Sequence, residues 1–526
     1  KKGSRSKRCT QSRKGSTELI WAWGERHKAR GVSDKSLGPG QSWKRNKAGD
    51  NMAKDSAIKE LQEALKENLI TSDAELAKYA VEGLAPQAVA VPGSVEEVAS
   101  IVKVAAENNL ALCVQGGGTK LDLGNRPEQL DLVLCTSRLN RITDMDTANL
   151  TVTVQAGVPF AELQKALSGQ ENRCYLPVTS DGSSPSEVCS EREHMGCFVP
   201  LDPPFSDRAT LGGIVATNSS GPRRLLYGTI RDLLLGVRYV NAEGKVIGVG
   251  GKTVKNVSGY DVGKLMIGSM GTLGVICEMT LRLLPLPEKS ATIVIGFDSI
   301  DDAFALVDKI MGSTLIPAAL ELFDMSVAET IGLGRDNESD YYVAVLAEGA
   351  WEVVDRVCSD AEKMGKEAGG QKKLSLEGEG HLGFWRAYGE LWGRSRGADS
   401  SSVVVRLSSP IGRLKELAAK AIKECQQLNL KGQIFAHAGS GVGRLVLRCT
   451  DGNKAFEKQI GKWMGQMLEA CLTVGGNIVI ERAEYPLKAD LPVWGIARGE
   501  FEILKRIKQQ IDPKRIFSPG RYVAGI

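Results

Sequence analysis

The stretch that decides the fold is an apolar segment that runs into three glycines, Leu110-Ala111-Leu112-Cys113-Val114-Gln115-Gly116-Gly117-Gly118-Thr119. The apolar residues predict a short buried strand. Consecutive glycines after a strand leave backbone N–H groups unobstructed by side chains, so these groups can converge on an anion. Because tight turns also need glycine, this tract alone is consistent with either an anion site or a turn.

A second tract of glycine and small polar residues follows about ninety residues later, and it includes Thr210, Gly212, Gly213, Thr217, Ser220 and Gly221. Together the two tracts could hold a diphosphate. Two common phosphate motifs do not match. The Rossmann motif needs a helix after its glycines, and Leu121–Gly124 does not open one. The phosphate loop of NTPases needs a glycine where Val246 precedes Gly251-Lys252-Thr253.

Charge is distributed unevenly along the 526 residues, which carry 67 Lys+Arg and 63 Asp+Glu. Residues 1–51 contain 14 Lys/Arg and 4 Asp/Glu, which leaves 53 and 59 for the remainder, a net charge of −6. A globally basic nucleic-acid binder is therefore disfavoured. No apolar run approaches the ~18 residues of a transmembrane helix, so we expect a cytoplasmic protein. The 11 cysteines form no C-x-x-C pair, which argues against a disulfide framework.

The first 51 residues show no sustained apolar period and predict a basic, disordered leader. Met52 begins an amphipathic pattern, so we expect Met52 to be the native start and the leader to be a non-native extension. The helical spacing is carried by Ile58, Leu61, Leu65 and Leu69.

Composition divides the rest of the chain. We predict a helical segment at 52–85 and a region of short, glycine-punctuated units at 86–288. Within it, residues 178–197 are expected to form an exposed flexible insertion. Strands alternate with longer helices over 289–510, which predicts an α+β second domain, and a turn-rich tail follows at 511–526.

The ordered series of motifs between Val91 and Ile276 resembles the FAD-binding domain of the vanillyl-alcohol oxidase (PCMH) type flavoproteins. Within that group it is most similar to the FAD-binding subunit of bacterial glycolate oxidases. The series comprises Asp202-Pro203-Pro204-Phe205, Ala209–Gly213, Ser220–Arg224, Tyr227–Asp232, Lys255–Asp261 and Gly268–Ile276. The resemblance implies an α+β fold with a two-subdomain PCMH-type FAD-binding domain and a cap-like α+β second domain. The C-terminal tail is expected to return to the FAD domain.

The resemblance also implies the cofactor residues. Gly116, Gly117, Gly118 and Thr119 would cradle the pyrophosphate of FAD. The flavin and phosphate path would be lined by Thr210, Gly212, Gly213, Thr217, Ser220 and Gly221. The adenine and ribose would lie near Arg231, Asp232, Gly271, Gly274, Val275 and Ile276.

Two further features of the cofactor region bear on its chemistry. Covalent relatives attach the flavin to His or Cys, and Gln115–Lys120 has neither, so we expect noncovalent FAD. Arg223-Arg224 and Lys255-Asn256 are open to two interpretations, as solvated loop charges or as groups that face the flavin or a partner.

The sequence departs from the catalytic relatives at their metal motif, H-x-G-D-G-N-x-H with a later Glu-His-Gly. Here His437 is kept, but Arg444 replaces the second His, and Glu481 is followed by Arg482. A guanidinium cannot deprotonate to bind a metal, so no metal site is expected. In one hypothesis Arg444 and Arg482 bind the carboxylate of a 2-hydroxy acid and His437 is the base. In the other, the second domain only assembles with partners.

Both hypotheses predict an FAD-dependent redox subunit of a glycolate or other 2-hydroxy-acid dehydrogenase complex. The resemblance implies a second flavoprotein subunit and an iron–sulfur subunit as partners, which would attach the protein to a membrane peripherally. The contrasting alternative is a flavin-free or catalytically inactive scaffold subunit whose glycines are only structural.

Overall fold

The computed structural model describes residues 48–168, 196–252, 261–334, 339–391, 402–448, 453–496 and 499–526. Most of the predicted leader and of the predicted insertion, together with Lys255-Asn256, lies outside these ranges. Residues Ala53–Ile526 form one compact unit, and the architecture below is that of this unit.

A small four-stranded sheet opens the unit, with strands β1 Leu69–Ile70, β2 Ala88–Ala90, β3 Leu112–Gln115 and β4 Leu132–Cys135 in the order β1-β2-β4-β3. Its helices are α1 Ala48–Leu65, α2 Asp73–Leu76 and α3 Val95–Glu107. Helix α3 begins after Ser94 because the Ser94 hydroxyl accepts a hydrogen bond from the Glu97 N–H at 3.1 Å. The glycine loop follows β3, as predicted, and no helix starts there.

Two predictions in this region are wrong. Helix α1 starts at Ala48, inside the segment predicted to be disordered, and it ends at Leu65. Leu69 therefore lies on strand β1 and not on the helix. The cause is Lys66, whose φ of 52° is left-handed and cannot continue an α-helix.

A five-stranded antiparallel sheet follows in the order β5-β6-β10-β8-β9, beside the two-stranded pair β7-β11. The strands are β5 Ile142–Asp146, β6 Thr151–Gln155, β7 Cys197–Phe198, β8 Leu234–Val240, β9 Val246–Gly250, β10 Val275–Arg282 and β11 Leu284–Pro285. The helices are α4 Phe160–Ser168, α5 Leu211–Thr217, α6 Arg224–Tyr227, α7 Ile230–Leu233 and α8 Gly263–Met266. Cys197 was predicted to end the exposed insertion, but it is buried in β7 opposite Pro285, so that boundary is corrected.

Residues 286–496, here called the cap, form an eight-stranded antiparallel sheet in the order β15-β12-β14-β13-β17-β18-β16-β19. The strands are β12 Lys289–Phe297, β13 Ala319–Asp324, β14 Tyr341–Gly349, β15 Gln371–Leu376, β16 Ser402–Ser408, β17 Lys431–His437, β18 Val442–Arg448 and β19 Asn477–Arg482. The cap helices are α9 Ile300–Met311, α10 Met325–Thr330, α11 Trp351–Glu367, α12 Gly378–Gly389, α13 Leu414–Gln427, α14 Asn453–Thr473 and α15 Tyr485–Lys488.

Alternate residues of the cap strands face opposite sides. One side packs on helices α9, α11, α13 and α14. The other side packs on α10 and α12 and also receives Leu226 and Tyr227 from helix α6 of the N-terminal half. The second side therefore faces the glycine tracts. The predicted α+β fold is confirmed, because each half combines helices with its sheets.

The last helix, α16 Phe501–Ile511, leaves the cap, and its Ile507 and Ile511 pack on the core of the N-terminal half. The return therefore starts earlier than the predicted residue 511. The tail then lies along strand β3, where the Leu112 N–H donates to the Ile516 carbonyl at 2.7 Å and the Ser518 N–H donates to the Leu112 carbonyl at 2.9 Å.

Candidate active site

The two glycine tracts meet at a cavity of about 820 Å³, part of which is open to solvent. Most of the predicted cofactor residues line it. These are Gly116, Gly117, Gly118, Thr119, Thr210, Gly212, Gly213, Thr217, Gly271, Gly274 and Ile276. The tertiary structure thus brings together segments that lie more than 150 residues apart in the sequence.

The glycine loop lies so close to the second tract that side chains do not fit between them. A Cβ atom at Gly117 would lie 1.8 Å from the Arg208 carbonyl oxygen, and one at Gly116 would lie 2.1 Å from the Thr210 hydroxyl. Gly118 has a left-handed φ of 68°. Thr210 also caps helix α5, where its hydroxyl accepts from the Gly213 N–H. The loop therefore needs glycine to keep its backbone amides at the cavity wall.

The remaining predicted cofactor residues do not line this cavity. Asp232 accepts a hydrogen bond from the Thr229 N–H at 2.8 Å and completes a capping box, and its neighbour Arg231 is exposed. Gly221 packs on Asp202, whose carbonyl oxygen would lie 2.1 Å from an added Cβ atom. Val275 is fully buried in the core beneath the first sheet. Ser220 is buried outside the cavity wall.

The cavity wall also contains residues that the sequence analysis did not select, among them Gln115, Lys120, Ser219, Met270 and Arg521. Two polar atoms among them are buried without a hydrogen-bond partner, Gln115 Oε1 and Arg521 Nη1. A glycine cradle with such polar atoms suits a cofactor that has a diphosphate and a polar ring, and FAD has both. The described wall residues therefore fit FAD.

A buried histidine lies on the side of the cap sheet that faces the glycine tracts. His437 on β17 is directly opposite Glu321 on β13, and its Nδ1 is 2.8 Å from both carboxylate oxygens. The Tyr388 hydroxyl donates to the same carboxylate at 2.7 Å. His437 Nε2 is buried without a hydrogen-bond partner. Neither Glu321 nor Tyr388 was selected from sequence, since no spacing links them to His437.

Burial and neighbouring charges set the protonation of this histidine. Burial, assisted by the guanidinium groups of Arg444 and Arg224, lowers the pKa of His437 well below its usual value. Burial raises the pKa of Glu321 well above its usual range. The imidazole is therefore neutral. A neutral imidazole carries one N–H, and Nε2 is an acceptor in the tautomer in which Nδ1 carries the proton and donates to Glu321.

A cationic cluster adjoins His437. Arg444 on β18 lies directly opposite Arg406 on β16, and both approach the buried carboxylate of Glu481 on β19, with Nε–Oε2 at 3.1 Å for Arg444 and Nη1–Oε1 at 3.6 Å for Arg406. Lys120 of the cavity wall lies within electrostatic range of all three. Burial, reinforced by both guanidinium groups, lowers the pKa of Lys120 to about 8. Lys120 therefore lies both in the cavity wall and beside the cationic cluster of the cap.

Three arginines differ in position from what the sequence suggested. Arg482 follows Glu481 at a register irregularity of β19 that places Arg482 opposite Val404, and its Nε lies 3.6 Å from Asp122, close to the glycine loop. Arg223 is neither solvated nor at the cavity, because it is buried in an ion pair with Glu348. Arg224 is half-buried and faces the cluster, where Arg444 and Arg406 lie within electrostatic range.

The described residues show neither a metal-binding cluster nor a helix that could span a membrane. Among those residues, no three His, Cys, Asp or Glu side chains are grouped as a metal would require. No helix in the described part of the chain is both long and apolar enough to cross a membrane.

Comparison with known proteins identifies both halves. Residues 86–188 and 182–250 match an FAD-binding domain family, and residues 286–522 match the C-terminal domain of FAD-linked oxidases. Glycolate oxidase subunit GlcD of Bacillus subtilis is 27% identical over 454 residues, which cover 84% of this chain and 89% of that protein. A D-lactate dehydrogenase of Archaeoglobus fulgidus is 27% identical over 434 residues, 82% of this chain and 90% of that protein.

A solved structure shares the fold. The 4-ethylphenol oxidase of Gulosibacter chungangensis superposes with a TM-score of 0.68 over 89% of this chain and 97% of that one, at 16% identity. The glycine cavity, the cap that faces it and both family matches lead to one assignment. The chain is an FAD-linked oxidoreductase and belongs to the family of FAD-linked oxidases that includes the glycolate oxidase subunit and the D-lactate dehydrogenases.

Proposed function

We propose that this protein oxidises a small 2-hydroxy acid, such as glycolate or D-lactate, to the 2-oxo acid at the junction of cavity and cap. We further propose that it is the FAD-binding subunit of a cytoplasmic complex. In that complex the electrons pass to a second flavoprotein subunit and an iron–sulfur subunit, through which the protein attaches to a membrane. The observation that carries the proposal is the neutral, buried His437 beside a cationic cluster that shares Lys120 with the cofactor cavity.

The cluster has the chemistry to bind the substrate's carboxylate. Arg444 and Arg406 are fixed donors because Glu481 and the sheet hold both side chains in place. Lys120 adds a third positive charge from the cavity side. Charge-assisted hydrogen bonds from planar guanidinium groups orient a carboxylate as well as attract it. Relatives named for glycolate and D-lactate, both 2-hydroxy acids, support this substrate class.

His437 is the proposed general base. Its Nε2 has no hydrogen-bond partner among the described residues, and its Nδ1 lies 2.8 Å from Glu321, which accepts from the Tyr388 hydroxyl. The proposal takes the tautomer in which Nδ1 carries the proton. Nε2 would accept the proton of the substrate hydroxyl, while burial, assisted by Arg444 and Arg224, keeps the imidazole neutral beforehand by lowering the pKa of His437. Arg482 has no part in this proposal because it faces Asp122.

Bound FAD supplies the acceptor for the two electrons that the substrate carbon loses together with its hydrogen. The glycine loop and the second tract would hold it through backbone amides. We propose that attachment is noncovalent, because among the described residues of the cavity wall there is no His, Cys or Tyr to bond the ring. Membership of an FAD-binding family disfavours the alternative of a flavin-free scaffold. The alternative of a catalytically inactive subunit predicts that neither 2-hydroxy acid reduces the bound FAD.

The test is anaerobic reduction of the FAD-loaded protein by glycolate and by D-lactate, followed as loss of flavin absorbance. The wild-type protein should be reduced by at least one of the two acids without any partner. We expect His437→Gln to slow this step by about 10²–10⁴-fold, the usual contribution of a general base. The matched control is His381→Gln, since His381 is also buried in the cap but binds Thr292 at 2.9 Å.

The outcomes separate the parts of the proposal. No reduction of the wild-type protein by either acid would refute a substrate site in this subunit. Equal rates for His437→Gln and His381→Gln would refute His437 as the base. The partner proposal is tested by affinity purification of the full chain from its native source. Copurifying flavoprotein and iron–sulfur subunits would support it, and recovery of the chain without either subunit would contradict it.

A further inference from the structure

Arg521 of the C-terminal tail places a buried cation at the cofactor cavity. Arg521 is only 2% exposed, and it lines the cavity. Nη2 donates to the carbonyls of Leu121 and Leu123, each at 2.7 Å. Nη1 is buried and has no hydrogen-bond partner among the residues that the structure describes. The guanidinium is therefore fixed by one nitrogen and has the other available at the cavity.

The backbone of Arg521 is also fixed. Its carbonyl accepts hydrogen bonds from the Asn125 N–H at 2.9 Å and from the Trp494 indole at 3.2 Å. Gly124 has a left-handed φ of 103°, and a Cβ atom there would lie 2.8 Å from the same carbonyl. The loop is thus shaped to receive Arg521, so the position of this cation is determined by the fold.

Arg521 needs an acceptor that the surrounding residues do not supply. Glu82 lies within electrostatic range of it, but that carboxylate already forms an ion pair with Lys488. A buried guanidinium is stabilised when its remaining N–H groups meet an oxygen or nitrogen that carries negative charge. The cofactor is the group in this cavity that can provide one.

The position of Arg521 indicates which part of the cofactor it meets. It binds the carbonyl of Leu121, the residue after Lys120, and its neighbour Tyr522 lies within electrostatic range of Arg406. Arg521 is therefore at the cap-facing end of the cavity, where the proposed oxidation takes place. We propose that Arg521 Nη1 faces the redox-active ring of FAD, at the ring atoms where negative charge accumulates on reduction.

The consequence is a shift in reduction potential. A fixed cation in a poorly hydrated site stabilises the reduced cofactor more than the oxidised one, because reduction adds negative charge nearby. The inference rests on FAD binding and not on the proposed substrate, so it can be tested without any 2-hydroxy acid.

The experiment is an equilibrium reductive titration of the FAD-loaded full chain with a reference dye, using an enzymatic reductant. We expect Arg521→Met to lower the two-electron potential by about 30–60 mV, which is a 10- to 100-fold loss of preference for reduced FAD. The matched control is Arg515→Met on the same tail, where the side chain is 48% exposed and pairs with Glu128. That control should keep the wild-type potential.

Two further variants keep the inference testable if Arg521→Met retains too little FAD. Arg521→Lys keeps the charge and should stay close to the wild-type potential, whereas Arg521→Gln removes it and should lower the potential. Equal potentials in these two variants would overturn the proposal. An unchanged potential in Arg521→Met with weakened binding of oxidised FAD would also overturn it, since Arg521 would then serve the diphosphate.

Discussion

The ion pair between Arg223 and Glu348 should be the strongest single electrostatic link between the two halves. Arg223 Nε lies 3.1 and 3.2 Å from the two carboxylate oxygens, and Nη2 lies 2.5 Å from one of them. The two side chains are 2% and 1% exposed. Arg223 directly precedes Arg224, which faces the cationic cluster, so this pair also fixes one wall of the candidate active site.

The expected magnitude follows from burial. Exposed ion pairs contribute about 0–1 kcal/mol, whereas removing one partner of a buried pair costs about 3–5 kcal/mol because the other charge remains buried. Arg223→Met should therefore lower the free energy of unfolding by about 3–5 kcal/mol. The double variant Arg223→Met/Glu348→Met leaves neither charge, and we expect it to recover most of that loss.

The pH dependence gives an independent check. Although burial opposes it, Arg223 holds the pKa of Glu348 below its usual value, so in the wild type this group contributes stability that is lost as the pH falls through its folded pKa. Without Arg223, burial raises that pKa above the unfolded value. The pH dependence of the stability then reverses in sign, and the free energy of unfolding of Arg223→Met should fall as the pH rises from about 5 to 8.

The assay is urea unfolding of the four proteins of the cycle at saturating FAD and at several pH values, with the midpoint and slope compared. Saturating FAD keeps cofactor binding from varying between variants. If the double variant loses as much stability as the two single variants added together, the residues are not coupled and the reasoning fails. If Arg223→Met lowers the free energy of unfolding by less than about 1 kcal/mol, the ion pair contributes no more than an exposed pair, and the argument from its burial fails.

Three further predictions concern the cavity and the tail. Lys120 should lose its charge as the pH rises through about 8, so the KM for the 2-hydroxy acid, measured by steady-state kinetics, should increase above that pH. Lys120→Arg keeps the charge and should abolish this pH dependence of the KM. Gly117→Ala places a Cβ atom 1.8 Å from the Arg208 carbonyl oxygen, so the glycine loop must move. The affinity for FAD, measured by flavin fluorescence, should fall at least about tenfold, or roughly 1.4 kcal/mol, and an unchanged affinity would contradict the loop geometry. Asp512→Ala leaves Lys508 buried without its 2.7 Å partner, so the unfolding free energy should fall by about 3–5 kcal/mol and amide protection at residues 516–518 should drop.

Local sequence signals predicted those elements whose stability is itself local. Helix α3 is an example of a local signal, because the Ser94 hydroxyl caps it by accepting from the Glu97 N–H within the sequence Ser94-Val95-Glu96-Glu97. The apolar strand before the glycine loop was predicted from Leu110 and is found at Leu112–Gln115. Several strands of the cap sheet were not predicted, among them β13, β15, β17 and β19. In β17, Lys431, Gly432 and Gln433 weaken the apolar pattern, and the strand is stabilised by its pairing with β13 and β18.

The sequence by itself indicated that two glycine tracts could hold a diphosphate, that His437 is kept while Arg444 stands where relatives have a second histidine, and that the family is one of FAD-linked oxidoreductases. Only the tertiary structure decided which of these residues act together. The packing of the cap on the N-terminal half pairs Arg482 with Asp122, and strand pairing places Glu321 beside His437 across 116 residues of sequence. The tail brings Arg521 to loop carbonyls almost 400 residues earlier in the chain. The physical reason is that these contacts depend on sheet register and on the packing of the cap against the N-terminal half, and neither leaves a periodic signal in the residues that make the contact.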